Sequence, residues 1–125
     1  MNMLSVQDIT AYLRAAFPGL SVTANEFSTA SPDDCIYVRM QAGYAPSEWT
    51  TKRQPGFQIV LRAKNPPDAE ARSNAIYANL HGKREFTFGT VRIVNCLSDQ
   101  SAPIYLGKDA NGRTQYSLNF NITIL

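Results

Sequence analysis

Residues 57–82, FQIVLRAKNPPDAEARSNAIYANLHG, constrain the chain most, because they hold a strand, a helix and the junction between them. FQIVLRA is rich in β-branched and aromatic residues, with Phe57, Ile59 and Leu61 on one side and Gln58, Val60 and Arg62 on the other. Apolar residues on both sides predict a strand covered, or nearly covered, on both faces. Local preference then reverses. Asn65 is placed to cap a helix, Pro66 suits the first helical position, and Asp68 lies near the positive end of the helix dipole. Ala69, Ser73, Ile76, Tyr77 and Leu80 share one stripe at helical spacing, and Gly82 is placed to end the helix. A central strand therefore runs into a helix that lies back across its sheet.

The elements before this unit are shorter. Ser5 and Asp8 have capping-box spacing, with Asp in place of the usual Glu, and Leu4 and Ile9 are placed as a hydrophobic staple. Val6, Ile9, Leu13, Ala16 and Phe17 form the apolar face of a first helix that Pro18-Gly19 end. Residues 20–27 and 35–40 read as two strands joined through a polar turn around Pro32, and a hairpin is expected. Residues 43–56, GYAPSEWTTKRQPG, break the pattern with two prolines, two glycines and the only tryptophan. Two readings stand side by side: a connection whose Trp49 tucks back onto the domain, or a projecting arm that meets a partner.

Beyond the long helix, EFTF and VRIVNCL read as strands, and residues 104–125 as a hairpin turning at Asn111-Gly112. In its second strand Tyr116, Leu118, Phe120, Ile122 and Ile124 alternate with Ser117, Asn119, Asn121 and Thr123, giving one apolar and one uncharged polar face. The chain of 125 residues is expected to form a single domain, 1–125, of α+β class: a mixed, mostly antiparallel sheet with two helices packed on it.

Composition narrows the function classes. A net charge of +2 does not by itself imply a nucleic-acid partner. No apolar run approaches the ~18 residues of a membrane span, and MNMLSVQDI lacks a basic leader, so synthesis in the cytoplasm and no membrane are expected. Cys35 and Cys96 are then expected as buried thiols. The lone histidine, His81, ends a helix, where satisfying the final carbonyls is the expected role. One His and two distant Cys have no zinc spacing, and neither a nucleophile elbow nor a phosphate or dinucleotide loop is present. Asp109-Ala110-Asn111-Gly112 opens like a calcium loop, but its Gly comes too early and Phe120 stands where the bidentate acid belongs. It reads as a turn in which Asp109 and Arg113 pair. Catalytic, metal and cofactor residues are therefore expected to be none, and an enzyme is not indicated.

FQIVLRA followed by PPDAEARSNAIYANLHG, together with the ending P-x-x-L-G-K-D-x-N-G-R-x-Q-Y-S-L-N-F-N-I, resembles the tail terminator proteins of long-tailed bacteriophages, also called minor capsid or tail-completion proteins. The resemblance covers most of the chain from about residue 36 onward and lies in structural patterns. It implies a structural virion protein at the tail–neck junction, made in the bacterial host cytoplasm. Such a protein forms a ring, typically a hexamer, that caps the tail tube, ends its polymerisation and joins the tail to neck or head-completion proteins, with genomic DNA passing through the lumen.

Under that implication Tyr44, Trp49, Asn119 and Asn121 are candidates for subunit or partner contact, since aromatic anchors dominate interfaces and a ring needs two different patches. Lys52, Arg53, Lys83 and Arg84 are candidates for the lumen, where they would attract phosphate without reading bases; a plain solvated surface is the competing reading. Another head–tail connector subunit and a non-viral binding or adaptor module remain the alternatives.

Overall fold

The computed structural model describes residues 3–45, 48, 49 and 52–125, apart from the side chains of Ala42 and Tyr44. The elements run α1 (Val6–Ala16), β1 (Ser21–Ala24), β2 (Cys35–Tyr44), β3 (Gln54–Ala63), α2 (Pro66–Leu80), β4 (Lys83–Phe88), β5 (Val91–Ser98), β6 (Ile104–Lys108) and β7 (Thr114–Thr123). Seven strands make one mixed sheet, in the order β1-β2-β3-β7-β5-β4, with β6 also paired to β7. The sheet curls into a half-barrel, and both helices pack on one face.

The strand–helix unit forms as its residues dictate. Phe57, Ile59, Leu61 and Ala63 are fully buried toward the helices, and β3 has β2 on one side and β7 on the other. Ala69, Ser73, Ile76 and Leu80 are the buried stripe of α2. Asn65 occupies the N-cap, but its side chain makes no cap bond; Pro67 at the second helical position offers no N–H to it. In α1 the capping box closes, with Asp8 Oδ2 accepting from the Ser5 N–H at 3.0 Å. An aromatic cluster centres the core: Phe57 stacks on Phe120 at 5.3 Å and meets Phe88 edge-on at 5.8 Å.

The expected hairpin between the first two strands does not form. β1 and β2 pair in parallel, Ser21 opposite Cys35 and Ala24 opposite Val38. The connection from Asn25 to Asp34 is too long for a tight hairpin and instead returns along the outer face of the sheet. Asn25 turns it with a φ of 70°, donating its N–H to the Val38 carbonyl at 2.7 Å. Phe27 then packs edge-on against Tyr37 at 4.7 Å, and Arg62 donates to the Ser31 and Pro32 carbonyls. This returning loop covers Arg62, and Val60 beside it is buried too, although both point away from the helices.

β7 has an unusual edge. Its first half pairs with β6, from Ile104 opposite Ser117 to Lys108 opposite Thr114, and its second half with β5, from Ser98 opposite Phe120 to Asn95 opposite Thr123. β5 and β6 thus act as one strand interrupted by residues 99–103. The β6–β7 connection is a three-residue turn, wider than the two-residue Asn-Gly type, with Gly112 at φ 75° and the Gly112 N–H bonded to the Asp109 carbonyl at 3.0 Å.

Candidate functional site

The segment between β2 and β3 shrinks to residues 45–53, because Tyr44 already pairs with Gln54. Gly43 holds the base with a φ of 69°, beside a register shift between Gln41 and Tyr44. Trp49 stands beyond this base with 91% of its surface exposed, so it does not tuck into the domain. The Tyr44 side chain lies outside the described residues.

Register separates the four candidate cations. Arg53 bridges Ile124, and its Nη1 lies 3.3 Å from Met3 Sδ, while Lys83 opposes Cys96 and sits over the Tyr12 and Phe86 rings at 5.5 and 5.4 Å. Both are half-buried. Arg84 opposes Asn95, which opposes Thr123 on the polar face of β7, and is exposed, as is Lys52. The four do not make one cluster on one face.

Asn119 and Asn121, candidates for partner contact, already have hydrogen-bond partners within the chain. The Asn119 amide donates to Ser117 Oγ at 3.2 Å and Gln100 Oε1 at 3.5 Å and accepts from Gln41 Nε2 at 3.3 Å; Asn121 donates to Asp99 Oδ1. With Gln58 donating to Ser117 Oγ at 2.8 Å, these side chains form a polar ladder across β2, β3, β7 and the 99–103 segment. Partners up to 78 residues away in sequence engage these amides, and no local pattern reveals that. His81 caps α2 as expected, but through its backbone, donating its N–H to the Tyr77 carbonyl at 2.9 Å. Its side chain does something else: Nδ1 accepts from the Ser98 backbone N–H at 3.0 Å and the ring stacks on Tyr77 at 5.1 Å, which ties α2 to β5.

A surface missed in the sequence is β6. Ile104, Tyr105 and Leu106 are all exposed, and among the described residues β6 pairs on one side only. An open strand edge carrying apolar side chains is a template for another chain. The other free edge on this side of β7 is guarded: β4 carries Lys83, Arg84 and Glu85, and Glu85 has a φ of 51°. The unalternated run Ile-Tyr-Leu was the available signal.

Both cysteines are free and buried, and burial pushes the Cys96 thiol up to about 12. Among the described residues no three His, Cys, Asp or Glu side chains converge as metal ligands, and no helix is long and apolar enough to cross a membrane. What the surface offers is contact.

The decisive comparison is with a family model described as bacteriophage tail terminator protein, which matches residues 21–125. The chain belongs to the bacteriophage tail terminator family. As a tail terminator it is a structural protein of the phage tail that works through contacts with other tail proteins. Helix α1 lies outside the matched residues. A solved structure shares the fold at a TM-score of 0.56, covering 93% of this chain and 88% of its own at 12% identity. No curated protein matches the chain.

The turn that carries β6 is held by Asp109. Its Oδ1 accepts the Arg113 and Asn111 backbone N–H groups at 2.9 and 3.0 Å, and its Oδ2 accepts Arg113 Nε at 2.8 Å. These donors, the Arg113 N–H foremost, hold the carboxyl below its ordinary value of 3.8. Because the folded value is depressed, the stabilisation is complete above the ordinary value and is lost as pH falls through the folded one. Protection of the Arg113 and Thr114 amides, measured against their intrinsic exchange, should therefore fall once the pH drops below about 4, and in Asp109→Asn it should be low throughout. Equal protection in the two proteins at neutral pH would show that the carboxylate does not hold the turn.

Proposed function

We propose that this tail terminator closes into a ring, a hexamer, on the end of the tail tube. There it ends tube polymerisation and gives the neck or head-completion protein a surface to join, with genomic DNA passing through the bore. The observation that carries this reading is Trp49, 91% exposed beyond the β2–β3 strands. A closed ring needs a head-to-tail interface made of two different patches. The β2–β3 end and the β6 edge are two such patches: Arg53 bridges Ile124 near one end of β7, while Tyr105 pairs with Tyr116 near the other. Eight residues of extended chain separate those positions by roughly 26 Å. Lys52 and Arg84, the exposed pair among the four cations, are assigned to the bore, where repetition around the ring gives a non-specific attraction for phosphate. Tyr44 belongs with Trp49 to the contact end, and the ladder holding Asn119 and Asn121 presents a fixed polar surface beside it.

Light scattering after size exclusion at rising concentration, and on tube ends, should give about six subunits. In Trp49→Ala, ring assembly or tail joining should weaken by ~2 kcal/mol or more per interface, while the monomer melts within ~0.5 kcal/mol of the original protein. A Trp49→Ala monomer that unfolds would place Trp49 in the fold and remove it from the interface. An assembly without rotational closure would overturn the ring.

A further inference from the structure

Arg62 is 6% exposed, and a buried guanidinium ordinarily has a carboxylate. Among the described residues no carboxylate pairs with Arg62. Its Nη2 donates to the Ser31 and Pro32 carbonyls at 3.3 and 3.1 Å, its Cζ lies 4.2 Å from the Phe27 ring centroid, and its Nε is buried with no acceptor. Neighbouring acids are committed elsewhere: Asp109 and Asp33 to Arg113 at 2.8 and 3.5 Å, and Asp34 to Arg72 at 3.3 Å and to the Lys64 N–H. Nor does Cys35, opposite Arg62 in the sheet, supply the charge: burial pushes its thiol up despite the guanidinium, so it stays neutral.

Arg62 lines a recess of about 390 Å³ on the outer face, between the returning loop and the β6–β7 turn. Ser28, Thr29 and Ser31 line it from the loop, and Asn111 and Arg113 from the turn. The Ser28 and Ser31 hydroxyl oxygens already accept backbone N–H groups from Ala30 and Ser28, at 3.2 and 3.1 Å, which leaves their O–H groups to donate. A lone uncompensated cation ringed by hydroxyl and amide donors fits an oxyanion. Arg62 is only 6% exposed, so a narrow group such as a side-chain carboxylate can approach its charge where a duplex backbone cannot.

We propose that this recess receives one carboxylate, the side chain of a Glu or Asp on a neighbouring protein chain. Arg62 supplies the charge, and the loop hydroxyls and Asn111 supply the hydrogen bonds. The partner's acid completes an ion pair that the free chain leaves half-made, so docking is selective for an acidic residue at one position. This rests on Arg62 and not on ring closure, because it is tested on the free chain.

The probe is glutarate, titrated at ionic strength matched with sodium chloride and followed by amide shifts of Thr29, Ser31 and Asn111. Saturable shifts confined to the recess are expected, weakened about tenfold or more in Arg62→Gln. Thr29→Glu, which places the chain's own carboxylate at the recess, should abolish the glutarate shifts and raise the melting temperature. Absence of saturation in the original protein, undiminished binding in folded Arg62→Gln or in Thr29→Glu, or saturation by inorganic phosphate without glutarate would each overturn the proposal.

Discussion

Phe120→Asp is expected to leave no folded protein. Phe120 has no exposed surface, faces the helices from β7, and stacks on its cross-strand partner Phe57 at 5.3 Å with the rings 26° apart. Removing the ring alone costs about 3–5 kcal/mol, and an unpaired carboxylate in its place costs several more. That total is comparable with the ~5–15 kcal/mol that holds a whole domain together. Soluble yield and far-ultraviolet circular dichroism should both collapse. A soluble, folded variant would mean that the even-numbered residues of β7 do not face the core.

Gly43→Ala should be the most damaging single methyl group added near the surface. A Cβ built there lies 2.0 Å from the Gln54 carbonyl oxygen and 2.8 Å from Pro55 Cα, and both are backbone atoms that cannot swing aside. The φ of 69° adds strain for any side chain. Together these should cost ~2 kcal/mol or more, a fall of about 8 °C in melting temperature for a chain of this size. Gly19→Ala is the control, since its Cβ would meet nothing within 4 Å. It should melt at or slightly above the original temperature. If both variants melt alike, Gly43 does not hold the base of the projecting segment.

The parts legible in the sequence are those whose cause is local. The α2 stripe, its proline start and its glycine stop follow from helical periodicity, and the two faces of β7 follow from alternation. The Asp109–Arg113 pair is legible because four residues separate its members. The features that were not legible depend on contacts far apart in sequence. A polar segment between two short strands reads as a hairpin turn, and only the return of residues 25–34 over Arg62 reveals a parallel pairing. The amides of Asn119 and Asn121 look available until Gln41, Gln100 and Asp99 are brought beside them. For the candidate site, Trp49 was visible by composition. The open side of β6 was hidden, since it arises because residues 99–103 divert the chain so that two strands share β7.

That division has a mechanical consequence. Since among the described strands β6 bonds only to β7, a pull exerted on Ile104–Lys108 by a docked neighbour travels into β7 and on to β3, the most deeply covered part of the molecule. The β4–β5 ribbon joins the same strand further along, past the detour, and lies outside that line of force. Load taken at the β6 rim would be carried by the centre of the sheet, while the guarded rim kept its shape.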